Sequence, residues 1–117
     1  MLDVSSTHPF VACTAFAMEW LACIATYDLQ RAESLIDAND SGIPFAQSFP
    51  APEGFTFCPP GEIVNWQLNV MAASPDGLSL EFEVPFREKK FRPMKAMFAM
   101  NLMGKSLEVR FEGLDAT

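Results

Sequence analysis

The chain has 117 residues, half of them apolar and a fifth charged, with a formal charge of −7. That is enough to bury one core without staples and too little for two, and so many large apolar side chains exclude disorder. A field of this sign repels a phosphate backbone and argues against nucleic acid, while Cys13, Cys23 and Cys58 are odd in number and lack CxxC spacing, indicating neither a disulfide framework nor a zinc site and fitting a reducing cytoplasm.

Ser5, Ser6 and Thr7 offer N-cap side chains, Pro9 fits a first helical turn, and 10-FVACTAFAMEWLACIATY-27 continues without a breaker, which predicts a helix. Glu19 interrupts this apolar run and no Lys or Arg precedes it, so it reads as neither a signal peptide nor a membrane anchor. At the helical period Phe10, Cys13, Trp20, Leu21 and Ile24 form a bulky side, and Ala12, Ala15, Glu19, Ala22 and Thr26 a narrow face of small residues. Asp28 can cap a second helix, 29-LQRAESLID-37, whose apolar side is Leu29, Ala32, Leu35 and Ile36, and 39-NDSG-42 stops it.

The stretch 43-IPFAQSFPAPEGFTFCPPGE-62 holds Pro44, Pro50, Pro52, Pro59 and Pro60 together with Phe45, Phe49, Phe55 and Phe57. It is too proline-rich for regular structure and too apolar for a solvated linker. An irregular loop this long is expected either to fold inward as a lid or to present its rings to a partner.

Beyond it the period changes to two. Val64, Trp66, Leu68, Val70 and Ala72 alternate with polar residues, as do Leu78, Leu80, Phe82, Val84 and Phe86, which predicts two half-buried strands. A three-residue loop at Pro75, Asp76 and Gly77 would pair Ala72 with Leu80, Val70 with Phe82, Leu68 with Val84 and Trp66 with Phe86. A two-residue turn at Gly104-Lys105 would pair Leu102 with Leu107, Met100 with Val109 and Phe98 with Phe111, and on the other face Asn101 with Glu108, Ala99 with Arg110 and Met97 with Glu112.

Helices over about 8–38, a loop over 43–61 and a sheet over about 62–114 make a single α+β domain, two N-terminal helices on a curved four-stranded antiparallel meander. This order, a long apolar helix, a short helix opened by Asp28 and then a meander, resembles the NTF2-like group of the cystatin-like folds. The resemblance implies a cone with a pocket between helix and sheet. It departs from that group where the proline–phenylalanine segment stands in place of a third helix. The group hosts isomerases, hydratases, binding modules, dimerisation domains and immunity proteins, so function has to come from the residues.

Members that isomerise or dehydrate small molecules carry an acid–base set inside the cone, as the resemblance implies. Here the single histidine, His8, opens the first helix and the single tyrosine, Tyr27, ends it, and the inner strand positions carry no carboxylate, amide or hydroxyl. Glu19 lies either in a cavity or, as the better reading, on the helix's solvent side. The pocket candidates are Glu19, Trp20, Tyr27, Phe49, Phe55, Trp66, Phe82 and Phe98. The thiols lack a base and read as small hydrophobes.

Glu81, Glu83, Glu108 and Glu112 mark an acidic outer sheet face and Met97 belongs to the Met-rich run 94-MKAMFAMNLM-103, which makes these five the partner-surface candidates. Arg87, Lys89, Lys90, Arg92 and Lys95 cluster in what reads as a solvated strand connection. No phosphate loop, catalytic pair or metal-ligand cluster appears, so no cofactor and no metal are expected.

Three functions remain from different classes. The leading one is a non-catalytic NTF2-like binding or assembly module, a homodimer with an apolar small molecule or a protein as partner. The second is an immunity-type protein that occludes a basic toxin. The third is an isomerase or hydratase working through Glu19 and Tyr27.

Overall fold

A computed structural model describes residues 1–50 and 53–116, so Ala51 and Pro52 of the proline–phenylalanine segment lie outside the described residues. It is an α+β fold in which two helices, α1 (Pro9–Ala25) and α2 (Leu29–Ser34), pack on an open, largely antiparallel sheet of six strands. The strands are β1 (Leu2–Asp3), β2 (Ala38–Asn39), β3 (Leu68–Ser74), β4 (Gly77–Val84), β5 (Met94–Met103) and β6 (Ser106–Ala116). Their order is β1-β6-β5-β4-β3, and β2 lies parallel beside β6. Four strands were expected. The two additional ones are two-residue pieces that pair with the far edge of β6 at Ser106, Leu107, Arg110 and Phe111.

The N-cap of α1 is His8 rather than one of the hydroxyl residues before it: Nδ1 of His8 accepts from Phe10 N at 3.1 Å. Pro9 decides this, because proline favours the first helical position and holds the residue before it extended, here at φ −61° and ψ 136°. The buried side of α1 is Cys13, Phe16, Ala17, Trp20, Leu21, Cys23 and Ile24. Phe10, expected on that side, is exposed, since this stripe extrapolates back at 3.6 residues per turn to Pro9.

The helix ends in a reverse turn closed by Tyr27 N to Ile24 O and Asp28 N to Cys23 O, both 2.9 Å, with Tyr27 in the left-handed region at φ 57° that usually belongs to glycine. Asp28 caps α2 by accepting from Arg31 N. The second helix is three residues shorter than 29-LQRAESLID-37, because Asp37 turns away to bond Val109 on β6.

The β5–β6 hairpin has the expected register from Leu102↔Leu107 through Phe98↔Phe111, with Gly104 at φ 66° in the turn. Beyond it Met97 pairs with Gly113 instead of Glu112, which is the extra residue of a bulge. In the β3–β4 hairpin the register differs by two residues from the expected one: Ala72↔Leu78, Val70↔Leu80 and Leu68↔Phe82. The turn is the two residues Pro75 and Asp76, closed by Ser74↔Gly77, and Ala73 bulges. A shift of two keeps every side chain on its face, so the core composition survives the change.

Asn65 at φ 56° delays β3 to Leu68. Val64 is therefore 82% exposed, and Trp66 and Phe86 do not pair; Phe86 bridges Phe57 instead.

Candidate functional site

The space between α1 and the sheet is filled by rings. Trp20 is fully buried and meets Phe45, Phe49, Phe82, Phe98 and Phe111 at centroid distances of 5.3 to 6.4 Å. Phe82 and Phe98 stack at 5.6 Å and Trp66 meets Phe82 edge-on at 5.6 Å, its indole Nε1 donating to Glu83 O at 2.8 Å. Trp20, Phe49, Trp66, Phe82 and Phe98 are thus brought together as packed core. Among the described residues, nothing hydrogen-bonds to the buried Trp20 Nε1.

The proline–phenylalanine segment turns its rings inward. Phe45, in a one-turn helix over Phe45–Ser48, and Phe49 reach Trp20, while Phe57 stacks on Phe86 at 4.9 Å and Phe55 meets Phe86 and Phe91. The segment is clasped from the β4–β5 connection: Arg87 N donates to Thr56 O, Thr56 N and Oγ1 both donate to Glu88, and Arg87 pairs with Glu62 at 2.6 Å. The basic cluster therefore spends Arg87 on the segment and Lys95 on Glu81. Thr56 N–H also holds the Glu88 carboxyl below the usual carboxylate range.

Tyr27 donates its hydroxyl to Pro50 O and stacks on Phe57 at 6.1 Å; burial pushes its phenol up. Glu19 lies elsewhere, half-exposed on the solvent side of α1 and 3.8 Å from Arg31, in a shallow cavity of about 220 Å³ shared with Ala22, Cys23, Thr26 and Asp28. All three thiols are buried and unpaired, and burial pushes Cys13 up to about 11.

Among the described residues, no helix covers the other face of the sheet. Register sets Glu81, Met97 and Gly113 in one row across β4, β5 and β6, with Glu83, Lys95 and Asp115 beside it and Ser79, Ala99 and Arg110 on the other flank. Lys95 Nζ approaches Glu81 at 3.5 Å. Glu108 accepts from Asn101 Nδ2 and Arg110 Nη1 at 3.2 and 3.3 Å, and Arg110 binds both oxygens of Asp40, which lowers that carboxyl. Glu112 is exposed at the bulge.

Phe16, Phe45, Phe57 and Phe111 complete the ring cluster but are absent from the sequence-derived candidates. Phe16 was legible, three residues after Cys13 and four before Trp20 on one helical stripe. No family model, characterised protein or solved structure matches this chain. Among the described residues, no helix is long and apolar enough to cross a membrane.

Proposed function

We propose that the chain is a non-catalytic binding or assembly module on an NTF2-like, cystatin-like cone, working as a homodimer and meeting protein partners through its outer sheet face. The observation that carries this reading is the position of Trp20: its indole occupies the place between helix and sheet where a small-molecule site of such a cone would lie. Five phenylalanine rings meet it, and among the described residues the buried core holds no polar or charged side chain to act as a proton acceptor. Glu19 and Tyr27 face different surroundings and share no reacting geometry, which weighs against the isomerase or hydratase reading.

The outer face then becomes the working surface, with Met97 at its centre and Glu81, Glu83, Glu108 and Glu112 around it. Lys95 and Arg110 compensate Glu81 and Glu108 from within, which weighs against occlusion of a strongly basic toxin. Sedimentation equilibrium at micromolar concentration combined with native mass spectrometry tests the reading. The expected species is a dimer without bound small molecule. A monomer, or a copurifying apolar ligand, contradicts it.

A further inference from the structure

The two edges of the sheet are built differently. The edge of β6 is sealed over residues 106–111: Leu2 and Asp3 pair with Leu107 and Ser106, Ala38 and Asn39 lie beside Arg110 and Phe111, and Asp37 exchanges main-chain and carboxylate hydrogen bonds with Val109, both at 2.7 Å. The opposite edge is β3, and among the described residues nothing hydrogen-bonds to its free side. Gln67 O accepts from Glu83 N at 3.0 Å, which fixes the alternation along this strand. Asn69 and Met71 direct their peptide groups at β4, and Leu68, Val70 and Ala72 direct theirs outward.

Exposed edge strands are ordinarily blunted by charge or proline. Here the run 64-VNWQLNVMAAS-74 has neither, in a chain of formal charge −7, and Met71, Ala72, Ala73 and Ser74 are exposed.

We propose that the β3 edge pairs antiparallel with the β3 edge of a second copy, joining two sheets into one across a two-fold axis near Val70. This deepens the assembly reading above and rests on it. In that register Val70 lies opposite its own counterpart, Leu68 opposite the second copy's Ala72, and about six backbone hydrogen bonds form. Leu68, Val70 and Ala72 extend the apolar inner face, and Asn69 lies beside the second copy's Met71 on the outer face. A second copy is the fitting occupant because two chains of like charge approach best where neither carries any. The seal over residues 106–111, with the charges of Glu112 and Asp115 on the rest of β6, keeps β3 from adding to that edge, so association closes at two copies rather than running on as a fibre.

The test is sedimentation equilibrium of the unmodified chain and of Ala72→Pro, Met71→Lys and Met97→Glu, with amide hydrogen exchange read at Leu68, Val70 and Ala72. Ala72→Pro removes an outward donor without touching the β4 ladder. Met71→Lys leaves the backbone intact and sets two like charges at the junction, and Met97→Glu challenges the outer face instead. The expected result is a dimer with the three amides protected, weakened by about tenfold or more in Met71→Lys and in Ala72→Pro, and kept in Met97→Glu. A dimer whose three amides exchange freely, or one weakened only by Met97→Glu, overturns edge pairing and leaves the assembly reading standing. A monomer overturns both.

Discussion

The ring of Phe49 lies against the indole of Trp20 with 5.9 Å between centroids, and this contact ties an irregular, proline-rich segment to the middle of α1. Phe49 is 8% exposed whereas Phe55 is only half-buried, so the segment's anchors are unequal. Phe49→Ala is expected to cost about 3–5 kcal/mol as a core truncation, and Phe55→Ala less. Urea unfolding measures both. Midpoints unchanged from the parent in both variants would mean that the segment is merely a tolerated loop.

Tyr27 combines a left-handed backbone with a ring stacked on Phe57. Replacing it by Ala removes the ring and keeps the backbone strain, whereas Gly removes both. Tyr27→Gly is therefore expected to be more stable than Tyr27→Ala by about 1 kcal/mol, although both lose the packing. The reverse order in chemical denaturation contradicts the reverse-turn geometry at the end of α1.

Burial that raises the Cys13 thiol also hides it from reagents. In the folded chain Cys13 should resist a thiol-reactive disulfide until the domain opens, and Cys58, the most accessible of the three at 9% exposure, should react first. Thiol titration with mass-spectrometric site assignment checks the order. Rapid native modification of Cys13 is incompatible with its place in the core.

Asp37 is pulled in two directions. Partial burial raises its carboxyl, but the Val109 N–H at 2.7 Å and the Met1 amine at 2.9 Å outweigh this and hold it below the ordinary value. A carboxyl depressed in the folded state contributes stability that is present above its unfolded value, about 3.9, and is lost as pH falls through the folded one. Asp37→Asn should therefore lower stability at neutral pH and flatten the loss on acidification below about pH 4. Thermal melts across that range provide the measurement, and parallel curves for variant and parent refute the contribution of Asp37.

Much of the architecture was legible because it follows from local chemistry. Pro9 and the unbroken apolar run specify α1, Asp28 specifies the start of α2, and the Gly104-Lys105 turn together with strict alternation specifies the β5–β6 register. Within the candidate site, the apolar inner residues Trp66, Phe82 and Phe98 share one side because period-two alternation leaves them no other. The tertiary structure decided what depends on competition between distant groups. Val109 drew Asp37 out of the second helix, and left-handed Asn65 together with the bulge at Ala73 reset β3 against β4. Whether Phe45, Phe49 and Phe57 turned in or out depended on the room left between Trp20, Phe111 and Phe86, a volume that only the assembled sheet and helix define.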